Sequence, residues 1–95
     1  MPHFVLTCLD KPDALETRMA TRPAHGVYVA ERMDIVRLAG PLLDDEGQMI
    51  GSLIVFECED KAVVEDFVAN DPYTVAGVFA SHDIKGFTVA RGSVG

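Results

Sequence analysis

Ninety-five residues, 48% of them hydrophobic, suffice for one core and not for two, so a single domain over residues 1–95 is expected. Fifteen acidic against eight basic side chains leave a formal net charge of −7, which opposes the counterion release that rewards phosphate-backbone binding and argues against nucleic acid and anionic membrane as partners. The apolar stretches are short and broken by Gly, Pro or Asp, with no basic leader, which predicts a soluble, cytoplasmic protein.

The first run, His3 to Leu9, is β-branched and apolar on both faces, as a central strand should be. Asp10-Lys-Pro-Asp13 carries helix-start chemistry. Leu15, Met19, Gly26, Val29 or Ala30, and Met33 then follow at roughly helical spacing, with Glu16, Arg18 and Arg22 off the stripe. Residues 13 to 33 are predicted to be mostly helix. Pro23 cannot donate to residue 19 and disfavours a helical Arg22, so the helix should kink or restart there, with His25 in the opening turn of its second half.

Asp34 to Leu43 reads as a strand, demoted by Gly40-Pro41 to an edge or bulged position. Asp44-Asp-Glu-Gly47 is a turn, and Met49 to Cys58 supplies the second arm of a hairpin. Asp60 caps a second helix whose Val63, Val64, Phe67 and Val68 form a compact stripe ending near Asn70. Asp71-Pro72 restarts a short turn that Gly77 closes, Val78 to Ala90 is the last strand, and the Gly/Ser tail is expected to fray.

This order predicts an α+β fold, a ferredoxin-like βαββαβ sandwich with an antiparallel four-stranded sheet and both helices on one face. A domain of this size buries only about 60–65% of its unfolded surface and gains from a partner. With both faces of the first and third strands apolar, the expected partner is a second copy packed sheet to sheet, a homodimer. Cys8 and Cys58 lie far apart in apolar runs and read as reduced core thiols.

No Walker loop, G-x-G-x-x-G or G-x-S-x-G occurs, so nucleotide and serine-hydrolase chemistries lack support. No His/Cys/Asp/Glu set has ligand spacing, and neither a metal nor an organic cofactor is expected. His82 and Asp83 are strand neighbours pointing to opposite faces, which prevents a dyad. Arg18, Arg22 and His25, at i, i+4 and i+7, offer a basic, titratable face suited to a small anion, although a solvated face with ordinary ion pairs has the same pattern. Five of the eight bases, Lys11, Arg18, Arg22, Arg32 and Arg37, fall between positions 11 and 37, which predicts a locally cationic pocket on an acidic protein.

Asp71 before Pro72 is a helix N-cap by pattern, and the same carboxylate can orient an imidazole for acid/base work. Tyr73 offers a hydroxyl at that helix start or a packing anchor, and Ser52 a hydroxyl facing a pocket or bonded to backbone.

With the element order, the ordered set Arg22-Pro-Ala-His25, Ala39-Gly-Pro41, Gly51-Ser52 and Asp71-Pro-Tyr73-Thr-Val-Ala-Gly77-Val-Phe79 resembles the YciI-like, YCII-related family over essentially the whole chain. The resemblance implies a dimeric α/β barrel of ferredoxin-like protomers, with one pocket per protomer and a His-Asp pair for acid/base chemistry, carried here by His25 and Asp71. The family is similar in fold to muconolactone isomerases and cofactor-free monooxygenases, and it includes members that act on chlorinated hydroxyquinones. The turn from Asp44 to Gln48 is shorter than the loop relatives often carry there.

Two functions remain from different classes. The leading one is a small, cofactor-independent enzyme of lyase, isomerase or dehydrochlorinase type. In it His25, oriented by Asp71, moves a proton on a small anionic, aromatic or lactone-like substrate held by Arg22, Ser52 and Tyr73. The other is a non-catalytic small-ligand binder or accessory protein with the same pocket. The enzyme reading predicts His25 and Asp71 in hydrogen-bond reach, lining one cavity.

Overall fold

The computed structural model describes residues 1–94, and the final residue of the tail expected to fray, Gly95, lies outside them. Its elements run β1 (His3–Asp10), α1 (Leu15–Ala30), β2 (Val36–Leu43), β3 (Met49–Glu57), α2 (Lys61–Asn70), α3 (Pro72–Val75) and β4 (Phe79–Phe87). The strands form one antiparallel sheet in the order β2-β3-β1-β4, the predicted ferredoxin-like α+β architecture. The apolar runs of β1 and β3 take the centre, and β2, with its Gly40-Pro41, takes an edge.

Alternation divides the sheet residues between two faces. Leu6 and Cys8 of β1, Ile54 and Phe56 of β3, and Ile84 of β4 pack against Val64, Phe67 and Val68 of α2 as the main core. Asp60 caps α2 by accepting from the Val63 amide, and the Tyr28 hydroxyl donates to the Phe67 carbonyl at 2.8 Å, tying α1 to α2. Both cysteines are free and buried, as expected. The alternate residues Val5, Thr7, Leu9, Leu53 and Val55 point to the face away from this core. Among the described residues, no helix is long and apolar enough to cross a membrane.

Three local expectations are corrected. The helix does not restart at Pro23: α1 is one element, and His25 lies in its second half rather than in an opening turn. Met19, whose carbonyl loses the Pro23 donor, is exposed, so water can satisfy the freed group and the helix survives. The helix also starts later than Asp13, which has a left-handed φ of 60°, and the N-cap is Ala14 with no side-chain bond. Finally, the buried face is not the Leu15, Met19 and Met33 stripe, which is exposed, but the row holding Ala14, Arg18, His25 and Val29. Arg18 reverses the hydrophobic pattern because its charge is fully paired inside the fold.

Candidate active site

Asp71 is the hinge of the site. It ends α2 and begins α3 in an extended conformation (φ −61°, ψ 131°) imposed by the following Pro72, and it is 1% exposed. Its Oδ1 accepts from the Tyr73 amide at 2.9 Å, the cap that the sequence predicted, and forms a 2.9 Å bond to His25 Nδ1. The predicted contact is therefore present, and capping and imidazole contact share one oxygen. A carboxylate only accepts, so the proton in the bond belongs to Nδ1, and Nε2 is the ring nitrogen left for other partners. The imidazole stacks on the Tyr73 ring with centroids 4.1 Å apart and planes at 22°.

A cavity of about 270 Å³ opens beside the pair. The α1 wall carries Arg18, Arg22, His25, Gly26 and Val29. Ala39, Gly40 and Pro41 of β2 form the opposite wall, Met49, Ser52 and Ile54 of β3 the floor, and Tyr73 the end. Of the five residues expected at the site, His25, Arg22, Ser52 and Tyr73 line the cavity. Asp71 does not: it stands behind the imidazole, which corrects the expectation that both members of the pair face the space. The volume lies below the ~300–1,000 Å³ usual for drug-sized ligands, which limits an occupant to a small molecule.

The sequence reading placed Arg18 on a basic face with Arg22 and His25 but missed its burial and pairing. Arg18 is 2% exposed and makes a two-bond fork to Asp10 at the end of β1, with Nε to Oδ2 at 2.7 Å and Nη2 to Oδ1 at 3.0 Å. Nη2 also donates to Ser52 Oγ at 2.8 Å, and the guanidinium carbon lies 4.4 Å from the Tyr73 ring centroid. The available signal was the spacing Ala14, Arg18, Arg22, His25, Val29, which repeats every three or four residues and marks one helix face. The predicted cationic cluster is correspondingly smaller. Arg32 pairs with Asp34 and Arg37 with Glu57 away from the cavity, Arg18 is neutralised by Asp10, and Arg22 is the exposed cation on the wall.

Burial shapes the titration of the surrounding groups. It pushes the Tyr73 phenol above its ordinary value, against the pull of Arg18 and Arg22, so the hydroxyl stays a donor at neutral pH. Burial, reinforced by Asp71, pushes the Cys8 thiol up to about 12, which keeps it un-ionised. Ser52 is placed by the main chain, because Gly51 before it passes so close to β1 that a Cβ there would run into the Cys8 carbonyl oxygen. Among the described residues, no group of three or more His, Cys, Asp or Glu side chains is arranged to hold a metal ion.

The family model of the YCII-related domain matches residues 2–88. Protein YciI of an Escherichia coli strain is 34% identical over 92 residues, covering 88% of this chain and 94% of that protein. The structure of 5-chloro-2-hydroxyhydroquinone dehydrochlorinase from Burkholderia phenoliruptrix, in complex with 2,5-dihydroxybenzoquinone, superposes with a TM-score of 0.83 at 31% identity, covering 90% of this chain and 93% of that one. An antibiotic biosynthesis monooxygenase superposes with a TM-score of 0.56 at 11% identity, covering 96% of this chain and all of that one, a likeness of fold alone.

Proposed function

The chain belongs to the YCII-related domain family, and on that premise we propose that it is a small acid/base enzyme in which His25, oriented by Asp71, moves a proton on a small anionic hydroxylated ring. The observation that carries the reading is the 2.9 Å bond from His25 Nδ1 to a buried carboxylate, with the imidazole itself on a cavity wall. In this arrangement Nε2 of the neutral ring accepts the proton, and Asp71 stabilises the imidazolium that forms. Arg22 attracts the anion, and Ser52 and Tyr73 hold its oxygens.

The dehydrochlorinase likeness favours a chlorinated hydroxyhydroquinone as the substrate class. The chemistry balances without a co-reactant. A ring hydroxyl gives its proton to Nε2 as its electrons close a carbonyl, and the imidazolium returns that proton to the chlorine-bearing ring carbon. A second hydroxyl then gives its proton to Nε2, its electrons close a second carbonyl, and chloride leaves with the C–Cl bonding pair, for a net loss of HCl.

The active unit in this reading is a homodimer. Val5, Leu9, Leu38 and Leu53 give the sheet face away from the core an apolar surface, continuous with a groove along Leu38 to Leu42 of β2.

The test is chloride release and quinone absorbance with chlorinated hydroxyhydroquinones, comparing the wild type with His25→Gln. Turnover by the wild type and a loss of at least 100-fold in the variant are expected. If the wild type binds 2,5-dihydroxybenzoquinone but releases no chloride, and His25→Gln binds equally well, the protein is a binder and the acid/base reading fails.

A further inference from the structure

The catalytic reading leaves one buried element unused, the Asp10–Arg18 pair. We infer that this pair acts as a positioning device that turns Ser52 into a dedicated hydrogen-bond donor, aimed at an acceptor oxygen of the ligand. The inference deepens the proposed function and rests on it.

A serine hydroxyl has one proton to give and two lone pairs to offer, and it rotates to suit its neighbours. Here that freedom is restricted. Arg18 Nη2 lies 2.8 Å from Ser52 Oγ and has only protons to offer, so the oxygen is the acceptor in this bond. Arg18 cannot turn away, because its Nε and Nη2 are forked onto the two oxygens of Asp10 at 2.7 and 3.0 Å, and its guanidinium packs near the Tyr73 ring. Ser52 is 4% exposed and lines the cavity, and among the described residues its hydroxyl donates to no acceptor of the protein. The remaining proton is thus available to the cavity.

The pair sets polarity more than charge. Asp10 and Arg18 neutralise each other, so the net attraction for an anion comes from Arg22, while the pair determines which ligand atom is welcome beside Ser52. An oxygen carrying lone pairs, such as a quinone carbonyl or phenolate, completes the arrangement. A ligand amino group whose nitrogen lone pair is delocalised into the ring can only donate, so it meets the serine proton head-on and leaves a buried donor unpaired. A serine free to rotate would accept either kind of atom.

The experiment titrates 2,5-dihydroxybenzoquinone and its 2,5-diamino analogue, whose amino groups present protons, against the wild type, Ser52→Ala, Arg18→Lys and the double variant. Circular dichroism confirms each fold. The wild type should prefer the dihydroxy compound. Ser52→Ala should weaken that compound by about 10- to 100-fold, the range of a hydrogen bond to a charged acceptor, and reduce the preference. Arg18→Lys keeps the charge but loses the fork, so it should weaken binding too, and the double variant should be no worse than Ser52→Ala alone. A merely structural Arg18 gives additive losses and an unchanged preference, which overturns the inference. Should Arg18→Lys fail to fold, Asp10→Leu combined with Arg18→Met removes both charges together and takes its place.

Undiminished dihydroxyquinone binding by Ser52→Ala also overturns the inference and leaves the catalytic reading intact. The converse result, loss of binding in Ser52→Ala with full turnover in His25→Gln, sinks the catalytic reading alone. A wild type that binds neither compound refutes both.

Discussion

Replacing Asp71 by Asn separates the two duties of a single oxygen. The side-chain carbonyl of Asn caps helices about as well as Asp, so the bond from the Tyr73 amide survives and folding stability should change by less than about 1 kcal/mol, a shift of at most roughly 4–8 °C in Tm for a domain this small. The charge opposite His25 does not survive. With Oδ1 2.9 Å from Nδ1, the charge centres of carboxylate and imidazolium lie ~4 Å apart, and their attraction at an effective dielectric of ~20 is about 4 kcal/mol. Fully expressed in the transition state, that is ~10³ in rate, so a fall of about 10²–10³ in kcat/KM is expected. The assay pairs chloride release with thermal melting, and nitrogen NMR of the imidazole reports whether the neutral ring of the wild type carries its proton on Nδ1. An Asn variant within threefold of wild-type turnover, or a wild-type ring protonated on Nε2, refutes the reasoning. A loss of activity that simply tracks unfolding reduces Asp71 to its capping role.

Gly51→Ala should destabilise the fold by about 1–3 kcal/mol, because its methyl group meets the Cys8 carbonyl oxygen; an unchanged Tm would show that β3 can move away from β1. Cys8 should resist a thiol-specific disulfide reagent at pH 8 in the native protein and react at once in denaturant, and rapid native reaction would contradict its burial. Its folded-state pKa is raised, so its stabilising contribution is complete below the ordinary thiol value of 9.0 and declines as pH rises from there towards about 12, by at most ~1.4 kcal/mol per pH unit. Cys8→Ser should flatten that part of the stability profile. Light scattering at micromolar concentration should give twice the 10.3 kDa chain mass, and a monomer would refute the sheet-to-sheet assembly.

The strands and α2 were legible because their signals are local: β-branched runs, turn residues, and an Asp cap ahead of a compact stripe. Asp71-Pro72 was legible for the same reason, and the element order brought His25 towards it, since both helices cover one face of the sheet. Pattern reading failed where tertiary pairing overrides periodicity. Hydropathy places Arg18 in water, yet a carboxylate at the end of β1, a hydroxyl on β3 and an aromatic ring in α3 together make its burial tolerable. No window of sequence contains those three partners. Pro23 misled for the opposite reason, because a helix breaker matters less where the freed carbonyl belongs to an exposed residue such as Met19.

The cavity is built of two unlike materials. Its chemically active half hangs on Arg18, Ser52 and Tyr73, none more than 4% exposed, with Asp71 sealed in behind His25. The rest of its lining contains Gly26, beside His25 on α1, and Gly40, on the facing β2 wall, where an added methyl group would meet no atom within 4 Å. Alanine can therefore be introduced at these two sites to narrow the opening while the imidazole and its carboxylate stay where they are. For laboratory evolution this separates the search into independent parts: substrate choice can be varied at two tolerant positions on an otherwise fixed reaction centre, and libraries confined to them should retain a high fraction of folded protein.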